Sequence, residues 1–176
     1  MKQPLKSAIF VLFLALFLAL PCVAFGKNDN AKQGNQASEE HRSKISTIVQ
    51  QLNDLADKNK NIGREISQVA SAEATTTDKQ INLMKKVENR SGFKTFFLGS
   101  DYKNLGDLRS TMVTTNNQIK HLEKAWERAT STPEIQAELN TQIIALKDAQ
   151  TKIESFINTN ESKFSLFGWL VKFFNK

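Results

Sequence analysis

Apolar residues recur along most of this chain at alternating spacings of three and four, and that rhythm narrows its possible folds more than any other feature. Ile45, Ile48, Leu52, Leu55, Asn59, Ile62, Ile66 and Val69 form the first such series. At about 3.6 residues per turn these positions fall on one stripe of an α-helix, the a and d positions of a coiled coil, whereas a strand needs a period of two. Leu105, Leu108, Met112, Thr115, Ile119, Leu122, Trp126 and Ala129 repeat the pattern. Ile135, Leu139, Gln142, Leu146, Ala149, Ile153 and Phe156 repeat it again, with Ile143 and Ile157 widening the stripe. In the first series Asn59 is the polar exception. It either fixes register and partner number as a buried amide or marks a place where the seam reaches solvent.

The ends of these stretches carry start and stop chemistry. Glu39 and Glu40 suit an opening turn, where the helix dipole favours negative charge. Ser131, Thr132, Pro133 and Glu134 combine a capping box with proline at the first helical position. Thr75, Thr76, Thr77 and Asp78 read as an interruption followed by an N-cap, giving a short helix over residues 79–90 that Ser91 and Gly92 stop. The expected fold is therefore all-α. It is an elongated antiparallel helical bundle or coiled coil of three long helices over residues 39–161, with a short connector helix and a C-terminal amphipathic segment. A self-associating coiled coil, and hence a homo-oligomer, is the main alternative.

The first 26 residues stand apart. Lys2 and Lys6 precede thirteen apolar residues from Ala8 to Leu20, Pro21 breaks the run, and Ala24 and Gly26 offer small residues for a processing site. That is the pattern of a signal peptide cleaved after Gly26; an uncleaved signal anchor is the competing expectation. Cys22 follows Pro21 rather than a small residue, which argues against lipidation there. Residues 27–38, rich in Asn and Gln, read as a flexible polar spacer. The body is expected outside the cytoplasm, periplasmic, secreted or membrane-associated. A Lys-rich exported chain that carries no cysteine after Cys22 points to a bacterial envelope.

Charge and residue counts limit the chemistry. The formal charge is +6, and the basic excess of the processed chain falls in its middle third. That is too modest for a nucleic-acid footprint. A single cysteine and two histidines leave little material for a metal site or a general base, and His121 reads as a solvated surface residue. No phosphate-binding glycine loop, catalytic triad or HExxH motif occurs. The expectation is a non-enzymatic protein with no cofactor, small-molecule substrate or nucleic-acid partner.

The most specific segment is the last, residues 164–176. Phe164, Leu166, Phe167, Trp169, Leu170, Val171, Phe173 and Phe174 are large and apolar. On a helical wheel they occupy one broad arc, while Ser165, Gly168, Lys172, Asn175 and Lys176 share the narrow remainder. Thirteen residues are too few to cross a bilayer, which takes about 20. A short helix with aromatics on a wide face and lysines on a narrow one suits the membrane interface or an envelope-protein groove. Phe164, Phe167, Trp169, Leu170, Lys172, Phe173, Phe174 and Lys176 are the expected contacts; folding back to cap the bundle is the competing expectation.

A second candidate surface interleaves Lys85, Lys86, Arg90 and Lys94 with Phe93, Phe96 and Phe97, a mixture that can meet an anionic headgroup or polymer. The plainer expectation is a hydrophobic plug at a turn, with its lysines on the solvated side. Together these features describe an exported rod that associates peripherally with a membrane or envelope partner through its tail. A chaperone-like module for apolar segments, or a structural coiled-coil oligomer with the tail in its core, are the alternatives.

Overall fold

The computed structural model describes residues 35–129 and 132–163. By internal contacts the chain divides into Met1–Gln33 and Gly34–Lys176, and every described residue belongs to the second unit. Among these residues the structure is all-helical: α1 Gln36–Lys58, α2 Gly63–Glu88, α3 Gly92–Leu98, α4 Tyr102–Arg128 and α5 Pro133–Glu161. The four long helices have 23, 26, 27 and 29 residues, or roughly 35–44 Å at about 1.5 Å per residue. They pack in a closed ring in which α1 meets α2, α2 meets α4, α4 meets α5, and α5 returns to α1.

Four long helices replace the three expected. The first apolar series does not run through one helix but reverses at Asn59, which ends α1 with an extended backbone. The Asn59 side-chain oxygen accepts hydrogen bonds from the backbone N–H groups of Asn61 (2.9 Å) and Ile62 (3.2 Å). Such local bonding is what makes Asn a turn former. Asn59 thus holds a reversal and sets no seam register. Gly63 opens α2 where a Cβ would run into the backbone carbonyl of Ala56; only glycine lets the two helices approach so closely.

The expected interruption at Thr75, Thr76, Thr77 and Asp78 is absent. α2 runs through it to Glu88, absorbing the short connector helix. Thr75 and Thr76 donate their hydroxyls to the carbonyls of Ser71 (3.1 Å) and Ala72 (2.9 Å). Bonding four residues back satisfies these two hydroxyls within the helix, whereas Thr77 Oγ1 is buried without a hydrogen-bond partner among the described residues. The modest propensity cost of threonine is then outweighed by packing.

The seams themselves are buried. Ile45, Ile48, Leu52, Leu55, Ile62, Ile66, Val69, Ile119, Leu122, Leu139 and Leu146 belong to one apolar cluster toward the loop end. Leu83, Met84, Val87, Leu105, Leu108, Ile153 and Ile157 form a smaller one toward the ends of the described chain. In α4 the buried stripe drifts: Ala125 is fully buried while its neighbour Trp126 is 36% exposed. A straight helix slips by about 20° per heptad against a strict seven-residue repeat, which turns Trp126 outward and Ala125 in.

Candidate functional site

One end of the bundle gathers the start of α1, the end of α2, all of α3, the start of α4 and the end of α5. Glu88 Oε1 accepts from the backbone N–H groups of Ala37 (3.0 Å) and Ser38 (3.2 Å), so the last residue of α2 caps the first turn of α1. A carboxylate at that position also complements the helix dipole. Asn89 Nδ2 donates to Asn35 Oδ1 at 3.1 Å. Across the ring, Ser100 Oγ donates to the Asn160 carbonyl at 2.6 Å. Arg109 forms a two-pronged pair with Glu161 and holds that carboxyl below its usual range, chiefly by hydrogen bonding. Lys163, the last described residue, donates to Asn160 Oδ1 at 2.6 Å. The described chain therefore enters at Asn35 and leaves at Lys163 from the same end.

α3 stands on this end as a short outboard helix. Ser91 Oγ accepts from the Lys94 N–H at 3.2 Å to start it. Gly99 ends it with φ 83°, a conformation that other residues adopt only at a cost. None of its seven residues is buried. Phe93 is 64% exposed, Leu98 69%, and Tyr102 just beyond it 62%. Phe97 lies between Phe93 (ring centroids 4.5 Å apart) and Phe96 (5.1 Å, edge to face). The rings pack on one another, with Phe93 and Phe96 exposed and Phe97 half-buried.

The basic residues expected at this surface divide into two groups. Arg90 faces inward, paired with Asp101 at 3.5 Å and donating to the Gly99 carbonyl at 3.2 Å. It braces the loop that carries α3. Lys85 is engaged with Glu39 on α1 at 2.6 Å. Lys86 and Lys94 are exposed, and neither has an ion-pair partner among the described residues. The tail residues Phe164, Phe167, Trp169, Leu170, Lys172, Phe173, Phe174 and Lys176 lie outside the described residues.

Beneath the end region, the middle of the bundle holds a polar layer that the seam pattern alone does not announce. His41 Nε2 meets Gln80 Oε1 at 2.8 Å, Gln80 Nε2 approaches Thr115 Oγ1 at 3.4 Å, and Thr115 Oγ1 donates to Glu73 Oε1 at 3.3 Å. Gln118 Nε2 donates to Thr76 Oγ1 at 3.2 Å. Burial pushes the Glu73 carboxyl up to about 7, held back only in part by the Thr115 hydrogen bond. Its Oε2 is buried without a hydrogen-bond partner among the described residues. Burial also pushes His41 below its ordinary range, against the hydrogen bond to Gln80. His41 borders a shallow cavity of about 70 Å³ lined by Glu40, Lys44, Met84, Lys152 and Phe156. A signal for this layer exists in the sequence. Continuing the three-four spacing beyond Val69 lands on Glu73, Thr76, Gln80, Leu83 and Val87, so the seam goes on through polar residues. His121, by contrast, is solvated as expected, 4.0 Å from Glu65.

No family model, curated protein or solved structure matches this chain. Among the described residues no helix is long and apolar enough to cross a membrane.

Proposed function

We propose that this is an exported, non-enzymatic helical-bundle protein that docks peripherally on a membrane through residues 164–176. The leader is removed after Gly26 and the bundle serves as a spacer or interaction rod. The observation that supports this reading is the position of the end of α5. Glu161 and Lys163 lie at the end of the bundle that also presents α3. The sequence that follows Lys163 carries aromatic residues at helical spacing, and the same end of the bundle exposes Phe93 and Phe96. The aromatic face favours headgroup depth, and Lys172 and Lys176 favour anionic lipid.

Flotation of residues 27–176 with anionic and neutral vesicles, beside a chain ending at Lys163, tests the proposal. The longer chain is expected to float and the shorter one to lose most of its binding. If neither floats and the shorter chain melts far lower, the tail belongs to the core and the bundle is a structural element. Lipid-free capture of unfolded apolar segments, lost with the tail, would instead favour the chaperone-like alternative.

A further inference from the structure

We propose that α3 is a second lipid contact, seating Phe93, Phe96 and Leu98, with Tyr102, at headgroup depth in an anionic bilayer while Lys86, Lys94 and Lys103 face its phosphates. The bundle then stands on the membrane by the end from which both ends of the described chain emerge. The inference builds on the tail reading but rests on different residues.

Three observations carry it. First, the apolar groups are held out of the core by construction. The Ser91 cap, the Gly99 turn and the Arg90 brace fix α3 at both ends, yet none of its residues is buried. A clustered aromatic patch of this kind marks a contact surface, unlike single exposed apolar residues. Second, the charge at this end is sorted. Glu88 caps α1, Asp101 both pairs with Arg90 and caps α4, Glu39 pairs with Lys85 and Glu161 with Arg109. Those acids are occupied by the fold itself. Lys86, Lys94 and Lys103 are exposed without an ion-pair partner among the described residues, and α3 contains no acidic residue. Asp107, four residues after Lys103, is the exposed acid at this end that the fold leaves unpaired among the described residues. What remains available is aromatic and, three lysines against one carboxylate, predominantly cationic, the pair of properties an anionic lipid interface selects. Third, the chain leaves α5 at Lys163, bonded to Asn160, whose carbonyl accepts from Ser100 at the foot of α3. The last described residue therefore lies at the end of the bundle that carries α3.

The test is vesicle partition of residues 27–176, which keep every described residue, into mixed phosphatidylethanolamine–phosphatidylglycerol vesicles and into phosphatidylcholine vesicles. Phe93→Ser with Phe96→Ser is expected to weaken binding to the anionic vesicles about tenfold or more, with an unchanged melting temperature because both rings are exposed. Lys86→Glu with Lys94→Glu should also cost about tenfold or more on anionic vesicles and little on neutral ones. Unchanged partition in both variants would overturn the role of α3 and leave the tail reading standing. Equal binding by a chain ending at Lys163, still lost on the Phe93/Phe96 substitutions, would support α3 and overturn the tail. Failure of the parent chain to bind would overturn both. A lipid-free dimer in sedimentation, abolished by Phe93→Ser with Phe96→Ser, would assign the surface to a second copy of the chain and overturn the lipid assignment.

Discussion

The two ends of the bundle are built to opposite rules. At the loop end, Leu52, Leu55, Ile62, Ile66, Leu122 and Leu139 close one apolar cluster in which every one of these side chains is at most 3% exposed. At the other end the apolar cluster is smaller, and the outboard helix exposes Phe93, Phe96 and Leu98. Between them lies the polar layer of His41, Glu73, Gln80 and Thr115. The loop end closes around the larger apolar cluster, whereas the other end is held by the smaller one, hydrogen bonds and ion pairs and leaves aromatic surface exposed.

Removing apolar volume at the loop end should do the greatest harm. Leu122→Ala is expected to cost about 3–4 kcal/mol, since it leaves a cavity among fully buried neighbours. Chemical denaturation measures that directly, and a loss under about 1 kcal/mol would break the contrast between the ends. Gly63→Ala comes next at about 2–3 kcal/mol, because its methyl group would meet the Ala56 carbonyl in the neighbouring helix.

The middle layer gives a pH-dependent effect with a definite sign. Glu73 titrates near 7 in the fold against an ordinary 4.5. Between those values the folded chain holds more protons than the unfolded one, so this carboxyl lowers stability as pH rises and the loss levels off above about 7. The penalty amounts to about 3 kcal/mol at pH 8, since a tenfold change in proton affinity is worth roughly 1.4 kcal/mol. Glu73→Gln should recover much of it at pH 8 and little near pH 4.5, as read from melting curves. His41 acts in the opposite sense. Its folded value lies below the ordinary 6.5, so its contribution is present above 6.5 and lost as pH falls through its folded value. In the Glu73→Gln variant this acid-side loss should stand alone. The smallest effect is expected at α3, where Phe93→Ser should leave stability within about 0.5 kcal/mol.

The long seams were legible because burial on one helical face imposes a period that sequence spacing records. The reversal at Asn59 was not, for a physical reason. Leu55 and Ile62 are seven residues apart, so the turn keeps the phase of the seam, and a continuous helix and a tight hairpin share one pattern. The central part of α2 escaped because Glu73, Thr76 and Gln80 occupy seam positions with polar side chains, Thr76 and Gln80 reconciled to burial by hydrogen bonds and Glu73 only in part. Phe93, Phe96 and Phe97 were visible as a group, but a cluster of rings at a turn reads equally as a plug or as a surface. Only the packing of the long helices separates the two. The inward role of Arg90 depends on the Gly99 turn folding back on it, which no local spacing reveals.

The most direct test compares the two ends in one experiment. Residues 27–176 contain no cysteine, so an environment-sensitive fluorophore can be placed singly at Phe96→Cys on α3 or at Asn61→Cys in the loop between α1 and α2. With anionic vesicles a blue shift and protection from aqueous quencher are expected at position 96, and neither change at position 61. Equal response at both positions, or a response at 61 alone, would contradict the assignment of contact to the end where the chain emerges.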